Sequence, residues 1–133
     1  MIFIDSNIPM YLAGAPHPHK AEAQILLERV AASKERVVTD AEVLQEILHR
    51  YASLERRQAI QPALQELLVI VDDVFAVEKR DALRAAEILQ HPNHFSARDA
   101  LHIAVMERHG VQRIMSFDQD FDRWPGITRL HEI

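Results

Sequence analysis

Short, almost wholly apolar runs alternate along the chain with longer stretches whose apolar residues recur every three or four positions. Residues 2–4, IFI, predict a first strand, and 20–33 predict a helix with Ile25, Leu26, Arg29 and Val30 at helical spacing. A second short strand is expected at 36–38, followed by a helix over 39–51 with Val43, Leu44, Ile47, Leu48 and Tyr51 on one face. The next helix, 53–68, contains Pro62, which predicts a bend. The third strand region is expected at 69–77, then a helix over 78–90, a loop HPNHF, and a helix over 96–110 closed by Gly110. Residues 113–117, RIMSF, predict a fourth strand, and the tail ITRLHEI a further edge strand.

Strands this apolar, separated by helices, predict a parallel sheet covered on both faces. The expected fold class is therefore α/β: a three-layer α/β/α sandwich around a mainly parallel sheet of four or five strands. A chain of 133 residues suits one domain, 1–133. In such folds the ligand crevice lies beyond the carboxyl ends of the strands, so the residues just past each strand end are the first candidates for a site.

Two strands end in acids: IFI runs into Asp5, and IMSF into Asp118, with Asp120 and Asp122 close behind. A buried strand that discharges into a knot of like charge suggests a site for a cation, although turns also favour aspartate. Asp120 is within reach of such a site, whereas Asp122 reads as a turn residue. Asp99 lies three residues after Ser96 at a helix start, the spacing of a capping box. That role is compatible with a position bordering the crevice. Glu42 and Glu46 are one turn apart. Glu42 has a capping box with Thr39 to explain it, so Glu46 is the preferred site acid, with Glu42 the alternative. His102, one turn after Asp99, is expected to pack beside the site, and the histidines of HPH (17–19) and HPNH (91–94) to lie in surface loops.

Composition removes other chemistries. There is no cysteine, so disulfides and thiolate metal sites are excluded and a reducing compartment is expected. No phosphate loop, dinucleotide glycine fingerprint, Gly-x-Ser-x-Gly elbow or His-Glu-x-x-His motif occurs. An aspartyl-nucleophile phosphatase usually carries a second acid two residues after the first, where this chain has Asn7. No signal-like or membrane-length apolar segment is visible, which leads to the expectation of a cytoplasmic protein with no membrane contact. The net charge of −5 lowers the expectation of nucleic-acid binding. Acids that converge on divalent cations can reverse the local sign, however.

The order and context of the acids resemble the PIN domain family, which includes the VapC toxins of bacterial toxin–antitoxin pairs. FIDSN resembles the family's first strand and aspartate, VLQEILHRY its glutamate helix, RDALHIAV the segment of its third acid, and SFDQDF its closing strand and acid pair. The resemblance implies catalytic and metal-binding roles for Asp5, Glu46, Asp99 and Asp118, with Asp120 alongside. It implies a ribonuclease that depends on Mg2+ or Mn2+, cleaves RNA, forms homodimers and, as a toxin, pairs with a small antitoxin. Asp5 and Asp99 are then expected as direct ligands, Asp118 as completing the site or binding a second ion through water, and Glu46 as holding a metal-bound water or orienting the attacking one. Ser6, Asn7 and Ser116 are accessory hydrogen-bond donors to carboxylate or phosphate. Crowded carboxylates disfavour joint ionisation, so at least one should titrate late. The alternatives are a catalytically silent interaction module on the same fold and a metal-dependent nuclease acting on DNA.

Overall fold

The computed structural model describes residues 1–14, 17–92 and 95–131. Five strands form one sheet: β1 (Ile2–Ile4), β2 (Val37–Asp40), β3 (Asp73–Phe75), β4 (Arg113–Met115) and β5 (Thr128–Leu130). Their order is β3-β2-β1-β4-β5, and every pairing is parallel. Successive strand residues point to opposite faces, yet Ile2, Phe3 and Ile4 are all buried, as are Val37, Val38, Ile114 and Met115. Both faces of the sheet centre are therefore covered. The flanking helices are α1 (Asn7–Ala13), α2 (Pro18–Ser33), α3 (Ala41–Ser53), α4 (Ile60–Ile70), α5 (Lys79–Ile88) and α6 (Ala97–Arg108). This is the expected α/β sandwich, with the tail strand in place at the edge.

The chain leaves β1 toward β2 and β3 on one side and returns to β4 and β5 on the other. The reversal falls between β1 and β4, the position where open parallel sheets form their crevice. The backbone N–H of Asp5 donates to the Met115 carbonyl at 3.1 Å, which locks the ends of these two strands together.

Several local expectations need correction. Helix α1 was not anticipated: it has seven residues, and Pro9 sits in its first turn, where a missing N–H costs nothing. Pro62 likewise falls in the first turn of α4 and does not bend a longer helix. Instead α3 continues to Ser53, Glu55 takes a positive φ of 56°, and a 3-10 turn (Arg57–Ala59) leads into α4. Val69 and Ile70 extend α4 rather than starting a strand, and Val69 is 86% exposed. A short apolar run does not distinguish the end of a helix from a strand. Residues Thr39 and Asp40 belong to β2, so the cap of α3 is Asp40, whose Oδ1 accepts from the Val43 N–H at 2.9 Å. Thr39 is buried and donates its hydroxyl to the Ile4 carbonyl at 2.8 Å, so the expected Thr39–Glu42 capping box does not form. Helix α2 turns Ala23, Leu26, Leu27 and Val30 inward, leaving Ile25 and Arg29 outside, and α3 leaves Leu48 exposed.

Candidate active site

Asp5 follows β1 directly and is 4% exposed. Its Oδ1 accepts from the Ser6 N–H at 2.8 Å, and its Oδ2 from the Ser116 hydroxyl at 2.6 Å and the Asn7 side-chain amide at 3.3 Å. Asn7 also donates to the Ser116 hydroxyl oxygen at 3.1 Å. The three predicted accessory residues thus converge on the acids, fixing the Asp5 carboxyl in one orientation. Burial pushes its pKa above the usual carboxylate value; His102 and the hydrogen bonds oppose this, and the charge on Glu46 adds to it.

Glu46 reaches the same place from α3. Its Oε2 accepts from the Ser6 hydroxyl at 2.6 Å, and its Oε1 lies 2.5 Å from His102 Nε2. The other ring nitrogen, Nδ1, lies 2.8 Å from Asp40 Oδ2. Two nitrogens that each face a carboxylate oxygen both act as donors in the imidazolium form. Burial works against that charge, but Asp40, Glu46 and Asp5 outweigh it and hold the His102 pKa well above its ordinary value. In return, the bonds from His102 and Ser6 overcome the burial of Glu46 and hold its pKa low. Glu42 enters none of these bonds; it is half-buried, and desolvation raises its pKa.

His102 packs beside the site as expected, but its partners were not foreseen and Asp40 was overlooked. His102 is fully buried, and it is the link between Asp40 and Glu46. The available signal was a histidine on the inner face of α6, one turn from Asp99. Its partners sit 62 and 56 residues away in the chain, which no local pattern reveals.

Asp99 sits in the first turn of α6. Its backbone N–H donates to the Ser96 hydroxyl at 3.1 Å, which is one half of the expected capping box, while its carboxyl is half-buried beside the other acids and makes no return bond to Ser96. Burial, then the charges of Asp5 and Asp118, push its pKa up to about 7. This is the late-titrating carboxyl that a crowded site requires. Asp118 is held through its N–H by the Ser116 hydroxyl at 3.0 Å, and its Oδ1 accepts from the Asp120 N–H at 2.9 Å. Asp122 turns away: it is exposed and bound twice, at 3.0 Å each, by Arg129. Among the histidines expected in surface loops, His17 caps α2, His19 lies in its first turn, and Asn93 and His94 lie outside the described residues.

Two triads result, each with ligand atoms within 4.8 Å of one another: Asp5, Glu46 and His102, and Asp99, Asp118 and Asp120. Both adjoin a cavity of about 740 Å³, whose wall also carries His49, Arg50 and Arg98. The donors facing this space are carboxylate oxygens, hard ligands of the kind Mg2+ and Mn2+ take. Burial and the neighbouring acids disfavour the ionised Asp99 carboxyl, and a bound cation would relieve that repulsion. The residues therefore fit a divalent cation.

A family model described as PIN domain matches residues 2–127. The chain is 57% identical over 130 residues to the VapC ribonuclease Mb1869c of Mycobacterium bovis, covering 98% of this chain and 99% of that one. It is 36% identical over 118 residues to ribonuclease VapC23 of Mycobacterium tuberculosis, covering 89% of this chain and 93% of the relative. Among solved structures it is similar to VapC20 of Mycobacterium tuberculosis, described as a Sarcin-Ricin loop cleaving toxin, with a TM-score of 0.75 and 28% identity over 92% of this chain and 93% of that one. The fold is also that of VapBC2 from Rickettsia felis, solved bound to a DNA fragment from their promoter, with a TM-score of 0.74, 16% identity and 98% of each chain covered.

Proposed function

Because the chain belongs to the PIN domain family, within its VapC-type branch, we propose that it is a Mg2+- or Mn2+-dependent endoribonuclease. In this reading it hydrolyses RNA phosphodiester bonds and is the toxin of a toxin–antitoxin pair. The observation that carries the proposal is the convergence of Asp5, Glu46, Asp99 and Asp118, from four separate elements, on one cavity. Relatives at 57% identity over nearly the full chain are named ribonucleases.

Asp5, Asp99 and Asp118 would hold the ion, with Asp120 alongside Asp118. When bound, the ion supplies Lewis acidity, offsetting phosphate charge and making water a stronger nucleophile at neutral pH. The chain's own residues do the rest. Ser6, Asn7 and Ser116 hold the Asp5 carboxylate in place at the cavity wall, so its geometry is fixed before substrate arrives. Glu46, gripped by Ser6 and His102, is placed to accept a hydrogen bond from the attacking water and orient it. Arg50 and Arg98 put positive charge on the wall of a site in an acidic protein, where an RNA backbone needs it. The antitoxin partner follows from the toxin reading, and the solved complexes of toxins with antitoxins on this fold are in keeping with it. A homodimer of single-domain chains acting in the cytoplasm completes the proposal. Among the described residues no helix is long and apolar enough to cross a membrane.

The test is cleavage of labelled RNA and DNA oligonucleotides with Mg2+, with Mn2+ and with chelator. RNA should be cut only when metal is present. Glu46→Gln should lower the rate about 100-fold or more, and Glu42→Gln should stay within about threefold of wild type. A wild type silent with every metal would favour the non-catalytic interaction module. DNA cut as readily as RNA would favour the DNA nuclease.

A further inference from the structure

Beside the acidic cavity, α1, the start of α2 and the segment after β4 bring four aromatic rings into contact. Tyr11 meets His17 at a centroid distance of 4.7 Å and Phe117 at 5.5 Å. His19 stacks on Phe117 at 4.3 Å and 15°, and lies 5.2 Å from His17. The cluster is wedged against the site: Phe117 immediately precedes Asp118, its N–H donates to Asn7 Oδ1 at 3.4 Å, and Tyr11 lines the cavity itself. Yet it is not core. His17 is exposed, and Tyr11, His19 and Phe117 are only half-buried. The same cavity carries Arg50 and Arg98 on its wall.

Tyr11, backed by the other three rings, presents aromatic surface to a cavity whose wall also carries guanidinium groups, and together these match the two parts of a nucleotide, a base with a π-face and a phosphate with negative charge. In a duplex the base faces are already stacked on their neighbours, so only an unpaired nucleotide has one to offer. We propose that Tyr11, His17, His19 and Phe117 form a nucleobase-stacking subsite that holds an unpaired nucleotide of the RNA next to the scissile phosphate. The subsite rests on the ribonuclease reading above and adds to it the side chains that would grip a base beside the cut. Stacking accepts any base, so the subsite selects for strandedness rather than sequence.

Two variants spare the fold. Tyr11→Leu keeps an apolar side chain against the core, and His17→Asn keeps a side-chain acceptor for the His19 N–H that caps α2. Binding is read by fluorescence anisotropy of a short single-stranded RNA in Mg2+, in an Asp118→Asn background that does not cut it. Each variant should weaken binding roughly 5- to 100-fold. One abasic nucleotide should weaken the parent by a similar factor and the variants no further. In the nuclease itself, KM should rise while kcat holds. Unchanged affinity and unchanged KM in both variants, with wild-type cleavage intact, would overturn the subsite and leave the nuclease reading standing; the rings would then brace α1 against α2 or face a protein partner. Wild type that neither binds nor cuts RNA would remove both.

Discussion

Asp99→Asn is expected to melt higher than wild type at pH 8 without metal, and to gain almost nothing when Mn2+ is added. The folded protein holds this carboxyl at about 7, against 3.8 for the free group. A raised folded value means that the stabilising proton is fully present below about pH 4 and is lost as pH climbs through about 7. At pH 8 the wild-type fold carries the ionised carboxylate, half-buried beside Asp5 and Asp118, at a cost of roughly 2–4 kcal/mol. Asparagine removes the charge and retains the cap, because Ser96 accepts from the backbone N–H and not from the side chain. The Tm difference between variant and wild type should therefore be several degrees at pH 8 and close toward pH 5. A cation that binds the folded state alone stabilises wild type by mass action, and more so once the carboxylates are ionised. Cleavage by the variant should fall at least about 100-fold. Differential scanning fluorimetry across pH, with and without Mn2+, reads the stability effects. An apo variant that melts lower than wild type but keeps its Mn2+ response would remove Asp99 from the ion site.

The second large effect is expected at His102. His102→Ala should cost about 3–5 kcal/mol at pH 6, because it leaves Asp40 and Glu46 without the cation that both face. The histidine contributes its full stability below its unfolded pKa of about 6.5 and loses it only as pH rises through the raised folded value. A measurement at pH 6 therefore catches the whole effect. His102→Gln, which still donates one hydrogen bond, should recover part of the stability. Both variants release Glu46 from one of its two holds, so both should cleave RNA more slowly than wild type under conditions where they remain folded. Urea denaturation gives the free energies; a His102→Ala midpoint within error of wild type would mean that the link carries no weight.

The legibility of the site in the sequence comes from the parallel sheet. Asp5 and Asp118 were legible because an apolar strand of three or four residues announces its own end, and the strand-end rule then places the crevice. Glu46 was singled out for an incomplete reason. It was preferred because Glu42 had a capping partner in Thr39, yet Thr39 is spoken for by the Ile4 carbonyl and the cap is Asp40. The Asp40–His102–Glu46 chain was hidden because its three members come from the end of β2, from α6 and from α3, and hydrogen bonding across such distances leaves no periodic trace. Helix α1 was hidden for another reason: seven residues with a proline among them fall short of the window in which a 3.6-residue period can be recognised. The HPH stretch was expected in a surface loop but opens α2 instead; its contacts with Tyr11 and Phe117 are tertiary, and the ring cluster emerges only from the fold.

The nuclease reading depends on a divalent ion settling among carboxylates that the sheet gathers from distant parts of the chain. Crystals grown with Mn2+ and measured for anomalous scattering address this directly. The expected result is a peak in the cavity bounded by Asp5, Asp99 and Asp118, absent in Asp99→Asn. A well-ordered cavity with no peak, or manganese bound only elsewhere on the protein, would contradict it.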